Sequence, residues 1–204
     1  MSLVLAIDTA APRLQLALLR TDGTVDCSID DIAQGHAELL FPLLDALLAR
    51  NGTTYGDLDR IAVTTGPGSF TGLRIGLSAA RGLGLALNIP VLGIPSLLAI
   101  SLAAPASKPV AVLLDARRDE AYFQGFAAPG VPLGEPELLP MIAARLLVPA
   151  GATLIESPFP DVALLTRFAV DADSAKFPPE ATYVRSADAK PQDKARIARL
   201  GVVS

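Results

Sequence analysis

The sequence is poor in the residues on which most nucleophilic and metal chemistry depends. Of 204 residues one is cysteine, Cys27, one is histidine, His36, and none is tryptophan. A single cysteine excludes an intramolecular disulfide and any cysteine-based zinc site. A single histidine requires any Ser-His-Asp or Cys-His arrangement to be built around His36. That residue enters an apolar segment, where a packing or interface role is the commoner one, and Cys27 lies in a predicted strand. Basic residues are outnumbered: the formal charge of −4 and a pI near 5.0 leave no global electrostatic footprint for nucleic acid. Only the C-terminus departs from this, where Arg185, Lys190, Lys194, Arg196 and Arg199 face Asp188 and Asp193. It reads as a solvated tail, with a patch facing nucleic acid as the minor alternative. An unbroken membrane span is also lacking. Residues 82–107 carry no charge, but Pro90, Gly93 and Pro95 divide them into a helix end, a short strand and a new helix start. No basic region precedes the first apolar run and Asp8 interrupts it early, so neither a signal peptide nor a membrane contact is expected, and the chain reads as cytoplasmic.

What is present is apolar. Hydrophobic residues make up 51% of the chain, enough for a sizeable core in one large domain or two small ones, with surplus to bury against a partner. The stretch 64–76, T-T-G-P-G-S-F-T-G-L-R-I-G, organises the rest. A buried strand leads into a Gly-Pro-Gly turn, after which Ser69 or Thr71 can cap a long helix. Such a turn can present backbone N–H groups to an anion, with Gly66, Gly68 and Ser69 as the candidate cradle. It can equally be a tight connection whose glycines serve close packing. It is not a Walker loop, because no Gly-Lys-Ser/Thr follows.

Before it come an apolar strand over 3–8 ending in Asp8, an alternating and therefore half-exposed strand over 13–20, an Asp22-Gly23 turn and a third strand over 24–32. A helix over 37–50 follows, apolar around nearly its whole circumference. One side would cover its own sheet and the other something else, and Pro42 should bend it or mark a late start. The second helix, 71–87, has Gly72, Gly76, Ala80 and Gly84 on one face for close backbone approach, and Leu73, Leu77 and Arg81 on a neighbouring stripe. A strand over 91–94 and a helix over 97–102 capped by Ser96 complete this half. Residues 104–108 are the best linker. Beyond them, strands are expected over 110–115, 121–126, 153–155 and 181–185, in what looks like a reduced second half. Three antiparallel strands followed by helix, strand and helix is the order of an RNase-H-like lobe.

G-P-G-S-F-T-G-L-R-I-G resembles the signature of the TsaB family, the partner subunits of bacterial tRNA threonylcarbamoyladenosine (t6A) synthesis. Leu5-Ala6-Ile7-Asp8-Thr9, Gly35-His36-Ala37-Glu38-Leu39-Leu40-Phe41-Pro42, Leu58-Asp59-Arg60-Ile61-Ala62-Val63 and the segment 89–97 match in order. Asp115-Ala116-Arg117-Arg118 and Tyr183-Val184-Arg185 match more weakly. The resemblance implies an α/β, actin/Hsp70/sugar-kinase-like fold of two RNase-H-like lobes, residues 1–104 complete and 108–204 reduced. In that superfamily the acid ending the first strand sits beneath nucleotide phosphates, which makes Asp8 a candidate beside the glycine turn. The catalytic paralogue TsaD carries a His-x-Glu-x-His metal motif; aligning the glycine turns puts its histidines at Ser96 and Ile100, so that metal centre is missing here.

Three functions compete: a non-catalytic scaffold pairing with TsaD, a nucleotide-using kinase or ATPase built on Asp8 and residues 66–69, and a peptidase. The missing histidine pair and the absence of a nucleophilic dyad disfavour the last. The favoured scaffold reading implies TsaD as main partner, TsaE through the complex, a homodimer in isolation and tRNA met only indirectly. It implies no cofactor held by the isolated chain, with ATP or ADP admitted within the complex. Its expected interface is His36, Leu40, Leu43, Leu44 and Leu47 of the first helix with Leu73, Leu77 and Arg81 of the second.

Overall fold

The computed structural model describes residues 2–32 and 34–184; the expected basic tail, and Arg185 of the last expected strand, lie outside them. Two five-stranded sheets carry the chain. In the first, β1 (Val4–Ala11), β2 (Arg13–Leu19) and β3 (Val25–Asp30) form an antiparallel meander. β4 (Arg60–Thr64) and β5 (Val91–Ile94) then add in parallel, giving the order β3-β2-β1-β4-β5. The helices α1 (His36–Arg50) and α2 (Phe70–Leu87) lie on one face of this sheet. The other face meets α3 (Ser96–Ser101), α5 (Val162–Asp171) and the second sheet in one shared apolar core. Covered on both sides, β1 is buried along its whole length, which explains an apolar run without strict alternation. The same covering corrects the expectation for β2: Leu14 to Leu19 are all buried, because α1 and α5 take opposite faces of it.

The second sheet repeats the plan in shortened form. β6 (Val110–Arg117) and β7 (Glu120–Ala128) pair antiparallel, and two short strands, β8 (Val131–Pro132) and β9 (Glu137–Pro140), pair with β7. After α4 (Met141–Leu146), β10 (Thr153–Ile155) joins parallel to β6, and α5 follows. The unit β1-β2-β3-α1-β4-α2 thus recurs as β6-β7-β8/β9-α4-β10-α5, without a counterpart of β5. These are two RNase-H-like lobes, the second reduced, in the actin/Hsp70/sugar-kinase arrangement. Among the described residues no helix is long and apolar enough to cross a membrane.

Two expected elements take another form. Ser96 does not cap α3; Pro95 stands at that position, and the Ser96 hydroxyl accepts the Gly66 N–H at 3.1 Å. Residues 181–184 are not a strand. They end a strap that crosses the carboxyl ends of β4 and β5, where Gly93 N–H donates to Phe177 C=O at 2.9 Å and Thr182 N–H to Thr65 C=O at 2.8 Å. Pro178 and Pro179 have no N–H to continue a ladder, so the strap docks at separate points.

Candidate functional site

Two places carry the sequence candidates, the cleft between the lobes and the outer face of α1 and α2. At the cleft, Asp8 ends the regular part of β1 with its carboxylate fully buried. It accepts the Thr64 hydroxyl at 2.6 Å, the Gln15 amide at 2.9 Å and the Ala10 N–H at 3.2 Å. Burial pushes this carboxyl above the usual carboxylate range, against the pull of those three hydrogen bonds and of nearby His36. Gln15 also donates to Pro160 C=O at 3.3 Å, tying β1 and β2 to the loop before α5.

The glycine turn closes over β1. Ser69 N–H donates to Ala10 C=O at 2.6 Å, Gly66 N–H goes to Ser96, and the Ser69 hydroxyl caps α2 by accepting Gly72 N–H at 3.2 Å. A β-carbon on Gly68 would stand 2.5 Å from Ala10 C=O, and one on Gly72 or Gly76 would overlap Thr9. Gly66, at φ +106°, is overlain by Thr182 C=O.

A cleft of about 510 Å³ does lie between Ala10–Pro12, Pro67–Ser69, Asp115–Arg117, Tyr122 and Glu156. Gly68 and Ser69 line it, but Asp8 and Gly66 do not. The structure thus divides the expected cradle, with Gly68 and Ser69 at the cleft and Asp8 and Gly66 away from it. Its acid is sealed beneath β1 by the molecule's own donors, and two of its N–H groups are spent on Ala10 and Ser96. Through these bonds the turn joins α2 to β1. Ser96 and Ile100, the places of the paralogue's histidines, are buried in α3.

On the helical side, α1 forms despite Pro42, which lies within it at an exposed position, so the carbonyl it leaves without a partner can be met by water. Leu40, Leu44 and Leu47 are all but fully buried against the sheet, as are Leu73 and Leu77 of α2. The expectation that these leucines point outward is corrected. The helical period turns Leu40, Leu44, Leu47 and Leu77 into the core under both helices, while Leu73 packs beside Gly66 of the glycine turn. His36 is also buried, with Nε2 3.3 Å from Ala11 C=O. Leu43 is half-buried and Arg81 exposed.

The outward surface is made by other residues. Ala37, Phe41, Phe70, Thr71, Arg74, Ile75, Ser78, Ala79, Gly82 and Leu83 line an apolar groove of about 690 Å³ between α1 and α2. Phe41 and Phe70, which both line this groove, are 44% and 56% exposed, unusual for large apolar side chains that share one surface. Arg74 stacks its guanidinium 3.8 Å over the Phe70 ring. Sequence reasoning chose the leucines because they were numerous. The better signal was the pair Phe41 and Phe70, the first beyond the opening turn of α1 and the second the opening residue of α2, both lining the groove between the helices.

The family model described as "TsaD: tRNA N6-adenosine threonylcarbamoyltransferase" matches residues 30–130. The tRNA threonylcarbamoyladenosine biosynthesis protein TsaB of Escherichia coli (strain K12) is 35% identical over 123 residues, 59% of this chain and 53% of that protein. An uncharacterized protein of Mycobacterium leprae (strain TN) is 34% identical over a 209-residue alignment, 94% of this chain and 57% of the relative. The solved structure of YeaZ from Pseudomonas aeruginosa has a TM-score of 0.74 at 26% identity, covering 90% of this chain and 100% of that one. The chain spans about half the length of the curated relatives it matches. The chain is thus similar to TsaB proteins over more than half of its length and follows the path of the YeaZ structure over 90% of it.

Proposed function

We propose that this chain is a non-catalytic subunit of t6A synthesis, a scaffold that pairs with the transferase TsaD through the outer face of α1 and α2. The observation that carries the reading is the apolar groove between these helices, with Phe41 and Phe70 standing in water at its edges. A transferase-family model that matches residues 30–130 supports it, because that span includes both helices. Like faces on related chains can pair about a pseudo-two-fold axis. The same face would serve a homodimer of the isolated chain, so homodimer and mixed complex exclude one another.

Fully burying one large apolar side chain contributes roughly 1.5–3 kcal/mol. Association costs at least several kcal/mol in lost freedom, so Phe41, Phe70 and Ile75 must pack well to give a lasting complex. In this reading the lobe of residues 1–104 carries the partner face and residues 108–204 form the reduced second lobe. Nucleotide enters only through the complex, TsaE joins it there, tRNA is met by the partner, and the work is cytoplasmic.

The test is a reconstituted transfer of threonylcarbamoyl to tRNA. Wild-type chain should support transfer only with TsaD present. Transfer by this chain alone would refute the scaffold reading.

A further inference from the structure

The last described residues lie at the mouth of the groove between α1 and α2. Thr182 is fixed over the glycine turn. Its N–H donates to Thr65 C=O at 2.8 Å, its hydroxyl lies 3.2 Å from that of Thr65, and its own C=O overlies Gly66. The exposed ring of Tyr183 then stands 6.1 Å from that of Phe70, which opens α2 and lines the groove. The strap therefore delivers residues 185–204, which lie outside the described residues, to one end of that groove.

The sequence that follows matches the groove in character and in reach. Residues 185–196 hold no large apolar side chain; Ile197, Leu200, Val202 and Val203 then come close together, with Arg196 and Arg199 beside the first two. The helices start level, His36 of α1 at Ala11 C=O and Ser69 before α2 at Ala10 C=O. On its exposed side α1 carries Glu38 near that end and Asp45 farther along, about 10.5 Å away. The groove runs from Phe70 to Leu83 of α2, about 20 Å of helix. From Tyr183 to Leu200 the chain covers about 25 Å if wound as a helix and up to about 56 Å if extended. Leu200 reaches the far end of the groove in either case.

We infer that residues 185–204 of this chain seat in its own groove, with Ile197 and Leu200 against Phe41, Ile75 and Leu83 and with Arg196 and Arg199 toward Asp45. A tethered segment meets its site at an effective concentration on the order of 1 mM, so a contact with a dissociation constant of about 0.1 mM is about nine-tenths filled. The seating itself is independent of what else binds there. Its consequence rests on the reading of the α1–α2 face as the partner surface. A partner then finds about one chain in ten open, and its apparent affinity falls about tenfold. The tail acts as a built-in competitor that the partner must displace.

The test is disulfide trapping in the full chain, with Cys27→Ser removing its one native thiol. One variant adds Ala198→Cys in the tail and Ser78→Cys in the groove; the other pairs Ala198→Cys with Ser157→Cys, exposed on the second lobe. In dilute solution under mild oxidation the Ser78 pair should close within one chain about tenfold faster than the Ser157 pair or more. Adding Ile197→Asp with Leu200→Asp should remove that advantage. Equal rates at the two sites, or a cross-link indifferent to the two aspartates, would overturn the seating. Without the cysteine changes, Ile197→Asp with Leu200→Asp should raise the affinity for TsaD about tenfold. If the cross-link forms as expected and the affinity does not move, the seating stands and the partner surface lies elsewhere. If the cross-link shows no preference, the seating falls, and the partner reading still stands or falls on Phe41→Asp.

Discussion

The Thr9 hydroxyl donates to the Gly72 carbonyl at 2.7 Å, and the Thr9 carbonyl fills the space a β-carbon on Gly72 would need. Strand β1 and helix α2 therefore touch backbone to backbone, and the glycines of the signature are the reason they can.

This contact predicts opposite outcomes for two glycine substitutions in one helix. Helix propensity alone would favour alanine over glycine by about 1 kcal/mol at either site. At Gly72 the new methyl has nowhere to go, so Gly72→Ala should destabilise by about 1–3 kcal/mol net. Nothing lies within 4 Å of a β-carbon on Gly82, so Gly82→Ala should stabilise by about 0.5–1 kcal/mol. Urea unfolding of both at one protein concentration checks this; a stabilised Gly72→Ala would refute the joint.

Asp8 makes stability depend on pH in a direction that can be stated. Burial raises its carboxyl in the folded chain, so the folded state holds the proton more tightly than the unfolded one. Stability relative to Asp8→Asn should then fall as pH rises from the ordinary carboxylate value through the raised one, and level off above it. Unfolding of both proteins across that range gives the difference curve. A difference that is flat, or that rises with pH, would show Asp8 to be a conventionally paired carboxylate.

The spent N–H groups of the glycine turn predict that magnesium-ATP titrated into the isolated chain gives no saturable heat. Binding should emerge only when TsaD is added. One-to-one binding to the isolated chain, lost in Ser69→Ala, would restore the cradle.

The first lobe could be read from the sequence because its elements are locally determined. Apolar runs bounded by Asp22-Gly23, the Gly-Pro-Gly turn and Pro90 left little choice of strand and helix, and the spacing of Gly72, Gly76 and Gly84 announced a close backbone approach. What was not legible depended on contacts distant in sequence. The burial of β2 required knowing that α5 returns from the second lobe to cover it. The strap required knowing that Gly93 leaves room for Pro178 and Pro179. At the candidate site the same limit applied. Leu44 and Leu77 looked available because a nearly all-apolar helix does not say which side meets its own sheet. The single phenylalanine of each helix, Phe41 and Phe70, marks the outer face only once the sheet is in place.

The central claim is that the outer face of α1 and α2 is where this chain meets TsaD, and it is tested most directly by titrating TsaD with wild-type chain, Phe41→Asp and Asp8→Asn. Phe41 is 44% exposed, so its replacement should leave the fold intact while placing a charge in the groove. Wild type and Asp8→Asn should bind alike and Phe41→Asp should lose measurable binding. A folded Phe41→Asp that binds TsaD at wild-type affinity would contradict the account.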